Sequence, residues 1–152
     1  MIVAMANDFE DFNNRVIREF RENDGQVGPP FEGAPMILVH HVGAKSGAER
    51  VTPVMWFDGG ESRYVIVASK AGAPDNPAWY HNLKAHPDIT VEIGHGPQAR
   101  TETHRVHAEE LTGDERERIW NGITSANEGF AEYERKTKGV RTIPLFALTP
   151  AA

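Results

Sequence analysis

Gly43-Ala44-Lys45-Ser46-Gly47-Ala48-Glu49-Arg50-Val51-Thr52-Pro53-Val54-Met55-Trp56-Phe57 is the stretch that decides the fold. A glycine-bounded turn feeds a run in which Val51, Pro53, Met55 and Phe57 alternate with Thr52, Val54 and Trp56, the pattern of a strand. Upstream, Met36–Val42 reads as an apolar strand entering that turn. Downstream, Asp58-Gly59-Gly60 turns the chain again and Arg63–Ser69 returns. In an antiparallel meander the first turn, the start of strand two and the end of strand three share a corner. Lys45, Ser46, Arg50, Ser69 and Lys70 are therefore expected to gather there. Pro53 cannot donate to a ladder and marks an edge or a bulge. Strand three is apolar on both faces, through Val65, Ile66, Val67 and Ala68, and needs cover on both sides. Asn76 as cap and Pro77 as first helical residue start a helix at the same corner. Trp79 and Leu83 share one of its faces.

Outward from this centre the elements are short. Asn7 or Asp8 caps a first helix running to about Asn23, with Phe9, Phe12, Val16 and Phe20 on one stripe. The stripe predicts a helix packed on the sheet; a membrane-surface helix is the alternative, although such helices carry more cations. Ile89, Val91 and Ile93 mark a half-buried strand, and Gly94-His95-Gly96-Pro97 a turn. Gln98–His107 is a polar strand, and Thr112-Gly113-Asp114-Glu115 a capping box opening a helix to about Ala126. A short helix near Gly129–Lys136 and a closing strand Thr142–Leu148 finish the chain. About six strands, mostly joined by hairpins, with three or four helices, predict a mixed α+β fold: an antiparallel barrel with peripheral helices, not a Rossmann sheet. One domain, 1–152, is expected, with the amphipathic helix in 1–25, the barrel in 36–107, helices in 112–136 and the closing strand in 142–148.

The 152 residues suffice for one real core. A net charge of −6 and no basic stripe exclude a nucleic-acid binder, though not a small anionic ligand held by local charge. The absence of cysteine excludes a disulfide frame, a thiolate zinc site and a cysteine nucleophile. No run approaches the ~20 apolar residues of a membrane span, and Met1–Met5 is too short for a signal peptide. A cytoplasmic protein is expected.

The chemistry concentrates at the cationic corner. Bidentate arginine and point-charge lysine suit phosphate, and glycines flanking Lys45-Ser46 let backbone amides turn toward an anion. A Walker loop is absent. His40 and His41 adjoin on a strand and face apart, and neither an HExxH pattern nor carboxylates at ligand spacing occur, so no metal site is expected. None of Ser46, Ser62, Ser69 and Ser125 lies in a GxSxG elbow. Trp56, Trp79, Tyr80, Phe130 and Tyr133 can wall a planar ligand. Tyr133, in a polar segment before the last strand, could cover such a pocket and supply a hydroxyl.

Five motifs in order carry a resemblance: Gly43-Ala44-Lys45-Ser46-Gly47, Arg50-Val51-Thr52-Pro53, Ala68-Ser69-Lys70-Ala71-Gly72-Ala73, Asn76-Pro77-Ala78-Trp79-Tyr80-His81-Asn82-Leu83 and Arg141-Thr142-Ile143-Pro144. Over nearly its whole length the chain resembles the deazaflavin-dependent nitroreductase family, which uses coenzyme F420. The resemblance implies a split β-barrel related to FMN-binding proteins. It implies that Lys45, Ser46, Arg50 and Lys70 hold the coenzyme's phosphate and acidic tail. Thr52, Pro53, Val54 and Met55, with Ala68 and Ser69, would line the ring; Asn76 and Trp79 would close that wall. Phe130 and Tyr133 would face the substrate. Family members often carry arginine where this chain has Ala44, and the nitroimidazole-activating members carry tyrosines where it has Asn127 and Phe130. An acceptor other than a nitroimidazole is therefore expected.

The implied reaction is hydride transfer from reduced coenzyme F420 to an electron-poor small molecule: an enone, quinone, unsaturated lactone or nitroaromatic. Tyr133 or solvent would donate the proton. The rivals are an FMN-dependent reductase or oxidase on the same barrel, and a non-catalytic deazaflavin- or lipid-binding protein. Weak membrane association through the first helix, and either a monomer or a homodimer, complete the expectations.

Overall fold

Helix α1 (Ile2–Glu22) leads into strands β1 (Met36–Val42), β2 (Glu49–Met55), β3 (Phe57–Asp58) and β4 (Tyr64–Val67). A tight 3-10 turn at Lys70–Gly72 precedes α2 (Ala78–Ala85), and β5 (Asp88–Ile93) and β6 (Glu102–Glu110) follow. Helices α3 (Gly113–Ala126) and α4 (Glu128–Thr137) precede the last strand, β7 (Leu145–Pro150). The computed structural model describes residues 2–29, 31–94 and 100–151, with side chains from Asp11 onward. The expected turn residues His95, Gly96 and Pro97, and the side chain of Phe9, lie outside the described residues.

The strands hydrogen-bond in the order β2-β1-β5-β6-β7-β4-β3, each pair antiparallel. β2 and β3 are one run of chain interrupted at Trp56, yet they occupy opposite ends of that order. The sheet must therefore curl until its two edges meet near Trp56, which gives a split antiparallel barrel. Trp56 is held at this junction. Its amide donates to the Pro35 carbonyl at 3.1 Å and its Nε1 to the Gly94 carbonyl at 2.9 Å.

The expected three-strand meander is corrected by this topology. β4 pairs with β7 and meets the preceding run only through β3, where Phe57 faces Val65 and Asp58 faces Tyr64. The shared corner survives for another reason. Direction reverses at every step of β1-β5-β6-β7-β4, so β1 and β4 run the same way and their C-terminal loops leave the same end. The loops 43–48 and 68–76 both lie there, and α2 follows the second. Pro53 sits on β2, a terminal strand of the order, where its missing N–H costs no ladder bond.

Alternation divides the side chains among three apolar clusters. Ile37 and Val39 of β1, Ile66 of β4 with Ala68 just beyond it, and Trp79 and Leu83 of α2 fill the barrel interior. Val65 and Val67 point the other way, into a second cluster with Trp120 and Ile123 of α3. Cover on both faces of β4, expected from its composition, is thereby supplied. Met36 and Leu38 pack outward against Val16 and Phe20 of α1. Val16 and Phe20 are fully buried, so these two do not face a membrane. Such burial stabilises by roughly 1.5–3 kcal/mol per side chain. Where α1 exits, Gly25 (φ +88°) lies so close to Gly94 that an added Cβ would come within 2.8 Å of the Gly94 Cα. Only glycine fits.

Helix starts depart from expectation. α1 begins at Ile2, ahead of Asn7 and Asp8, because nothing in Ile-Val-Ala-Met-Ala interrupts helical backbone. Pro77, not Asn76, occupies the cap of α2, and the Thr112 side chain makes no cap bond to α3. The Asn76 side chain is engaged elsewhere: Arg141 Nη1 donates to its Oδ1 at 2.8 Å. A charged donor outcompetes a neutral helix amide for one carbonyl oxygen.

Candidate active site

The loop after β1 presents free donors. The Gly43 amide donates to the Ala48 carbonyl at 2.8 Å, the Gly47 amide to the Gly43 carbonyl at 3.0 Å, and the Ala48 amide to Ser46 Oγ at 3.2 Å. These bonds tie the loop from within and leave the Lys45 and Ser46 amides without a partner among the described residues. The exposed Lys45 and Arg50 side chains are likewise unpaired among the described residues. Two amides and two cations without internal partners form a donor set for an anion.

A polar bridge beneath that loop escaped the sequence reading. The Ala44 amide donates to Asn82 Oδ1 at 2.9 Å, and Asn82 Nδ2 meets His41 Nδ1 at 2.8 Å. His41 Nε2 in turn meets Thr52 Oγ1 at 2.9 Å. Asn82 can serve Ala44 only with its oxygen, so its NH₂ group donates to Nδ1. That fixes the His41 proton on Nε2, where it donates to Thr52. Burial, then the charge of Arg50 and the neighbouring His40, lower the His41 pKa to about 4. The visible signal was a histidine in phase with Ile37 and Val39 on an interior face.

On β2 the pleat separates the expected ring-lining residues. Arg50, Thr52 and Val54 pair with His41, Val39 and Ile37 and share the interior side. Pro53 and Met55 fall on the α1 side, where Met55 joins the outer cluster. Only the backbone of these two can address the interior side. Ala68 continues the interior face of β4, while Trp79 is buried in the core with its ring centroid 6.0 Å from that of Phe146. Trp79 is thus a core residue of the barrel.

The loop after β4 is tightly shaped. Lys70 (φ +45°), Ala71 (φ +53°) and Gly72 (φ +80°) are successive left-handed residues. This costs roughly 1–2 kcal/mol for each non-glycine residue. The turn closes through Gly72 N–H to the Ser69 carbonyl (2.9 Å) and Ala73 N–H to the Lys70 carbonyl (3.0 Å). Lys70 Nζ pairs with Asp75 Oδ2 at 3.0 Å, and this bond holds the Asp75 carboxyl below its usual range. Asp75 is two-thirds exposed, so a ligand anion can replace it at little cost.

Helix α4 reaches this turn from the far side. A Cβ added to Gly72 would lie 3.3 Å from Tyr133 Cδ1 and 3.1 Å from Lys136 Cδ. The Tyr133 hydroxyl takes no hydrogen bond among the described residues. Phe130 packs beside Tyr133, and both rings lie against the same apolar cluster. Phe130 is wedged edge-to-face against Phe57 (5.5 Å), Trp120 (6.4 Å) and Tyr133 (5.8 Å), in the cluster on the outer face of β4. Cavities of about 440 and 300 Å³ lie elsewhere, the first beside Arg116 and Trp120, the second between Leu83 and Glu110. At the cationic corner Lys45, Ser46 and Arg50 are exposed. Among the described residues no cluster of three metal-ligating side chains occurs.

Exposed Lys45 and Arg50, an exchangeable Lys70 and two amides without a partner among the described residues, beside the half-buried Thr52 and Val54, fit a phosphate-bearing coenzyme with a flat ring. Fold and donor set together define a coenzyme-binding split-barrel protein. The profile of the F420H(2)-dependent quinone reductase family matches residues 13–150. An F420H(2)-dependent quinone reductase of Mycobacterium tuberculosis (strain H37Rv) is 36% identical over 134 residues, 86% of this chain and 84% of the relative. The solved F420-H2 dependent reductase FDR-A is 38% identical with a TM-score of 0.61, covering 74% of this chain and 92% of that one. A second solved chain, a domain-swapped dimer, is 35% identical with a TM-score of 0.63, covering 87% and 92%. The chain belongs to the F420H(2)-dependent quinone reductase family. It is an oxidoreductase whose hydride donor is reduced coenzyme F420.

Proposed function

We propose that the protein reduces quinones, with the coenzyme seated across loops 43–50 and 68–76. The carrying observation is the pair of cations, Lys45 on the loop and Arg50 at the start of β2, which with the Lys45 and Ser46 amides have no partner among the described residues. Lys45, Ser46, Arg50 and Lys70 hold phosphate. Thr52, Val54 and Ala68 present side chains to the ring, and the backbone at Pro53, Met55 and Ser69 completes that wall. Asn76 and Trp79 support it. When bound, the reduced coenzyme supplies a hydride from its ring. Tyr133, beside Gly72, supplies the proton that with the hydride converts a quinone to a hydroquinone. Phe130 sets the position of Tyr133 through ring contact. Holding acceptor and ring in register is the protein's main contribution.

Mixing the purified protein with reduced F420 and a soluble naphthoquinone should regenerate oxidised deazaflavin with saturable kinetics. Parallel titration with FMN should give weaker binding and no oxygen-consuming turnover. Tight F420 binding with no oxidation by quinone, enone or nitroaromatic acceptors would instead favour a carrier. Assembly as a homodimer is proposed from the dimeric 35%-identical relative, and light scattering on the purified chain decides it.

A further inference from the structure

Two consecutive non-glycine residues in left-handed backbone do not persist unaided, and the 68–76 loop is held from outside. Arg141, from the segment before β7, donates through Nη1 to the Ala68 carbonyl (3.1 Å), through Nη2 to the Ser69 carbonyl (2.8 Å) and through Nε to the Ala73 carbonyl (3.0 Å). Its Nη1 also reaches Asn76 Oδ1 at 2.8 Å. The guanidinium thus grips the loop on both sides of Lys70 and Ala71, the strained pair. Lys136 Nζ adds a bond to the Ala71 carbonyl at 3.2 Å. Arg141 is itself anchored. Its amide donates to the Thr137 carbonyl at 3.1 Å, and buried Arg116 donates to the Ile143 carbonyl at 2.6 Å.

We propose that Arg141 is a positioning residue for the coenzyme: its guanidinium imposes the left-handed turn that sets Lys70 and the adjacent amides at the cationic corner. The proposal rests on the seating of F420 across loops 43–50 and 68–76. Most of the N–H groups of Arg141 are engaged within the protein, so it acts through the loop and not as a ligand-binding cation. A lysine cannot replace it, because one ammonium cannot bridge three carbonyls in fixed directions.

The test compares the full-length wild type with Arg141→Met, Arg141→Lys, Ala71→Val and the double variant Arg141→Met/Ala71→Gly. Affinity for oxidised F420 is measured by fluorescence titration, and amide hydrogen exchange is measured without coenzyme. Arg141→Met and Arg141→Lys should each weaken F420 binding about tenfold and leave KM for quinone within about twofold. Exchange should quicken at 69–76 and not at 43–48. The double variant should recover about threefold of the loss, since glycine adopts the left-handed turn without a Cβ clash. Ala71→Val should weaken F420 binding with Arg141 intact, which keeps the proposal testable if Arg141→Met does not fold. F420 affinity in Arg141→Lys equal to wild type, or a local exchange pattern unchanged, overturns the positioning role while leaving the site in place. Failure of the wild type to bind F420, or undiminished affinity in Lys45→Ala/Arg50→Ala, overturns the seating itself.

Discussion

Asn82 Nδ2 donates to the buried His41 Nδ1 at 2.8 Å, joining a helix over the barrel end to the strand that enters the cationic loop. The same amide accepts from Ala44 N–H, so one side chain fixes both the loop and the histidine tautomer. The geometry of loop 43–48 and the hydrogen bonding of Thr52 on β2 are therefore linked through one side chain.

Replacing Asn82 with leucine should leave the Ala44 amide and the His41 ring nitrogen unpaired. Each buried unmet group costs about 1–3 kcal/mol. The expected result is a melting temperature lower by several degrees and weaker F420 binding. Asn82→Asp should act differently. Its carboxylate can accept a proton-bearing Nδ1, so the His41 pKa should rise, which histidine NMR titration reads directly. An unmoved His41 titration would disprove the assigned tautomer.

The lowered pKa of His41 gives stability a pH dependence with a definite sign. Its folded value is about 4, against an ordinary value of 6.5. Between these values the unfolded chain binds the proton and the folded protein does not, so stability falls as pH drops from about 6.5 toward about 4. Burial is the main cause, with repulsion from Arg50 and His40. Urea midpoints at pH 7 and pH 5 should differ more in wild type than in His41→Gln.

Lys45→Ala and Arg50→Ala remove exposed cations that have no partner among the described residues and should leave thermal stability nearly unchanged, within about 0.5 kcal/mol. F420 affinity should fall in each, and the salt dependence of binding should flatten relative to wild type. A variant that loses affinity only together with its melting temperature would argue for a structural role instead.

Tyr133→Phe keeps the ring against Gly72 and Phe130 and deletes only a hydroxyl that has no partner among the described residues. Stability and F420 affinity should be preserved. The turnover number should drop about 10²-fold if the hydroxyl donates the proton. Unchanged turnover would move that role to solvent.

Much of this was legible in the chain itself. The apolar run Met36–Val42, the alternation in Arg50–Phe57, turn glycines, the stripe Phe12–Val16–Phe20 and the doubly apolar Val65–Val67 determine an antiparallel sheet covered by helices, because burial pattern is a local property of sequence. That the segments bearing Lys45, Arg50 and Lys70 leave the same end of the sheet was also readable, although through a meander that does not form. What only the tertiary structure decided are the long-range matches. β4 pairs with β7 and not with β2; Pro53 and Met55 turn away from Thr52 and Val54; Phe130 and Tyr133 pack together against the cluster on the outer face of β4, where Tyr133 also meets Gly72. Arg141 and Asn82 stood within recognisable motifs, yet their tasks depend on carbonyls and a histidine distant in sequence. Hydrogen bonds of this kind have no periodicity to announce them. They exist only once the sheet has curled and brought both partners to one end.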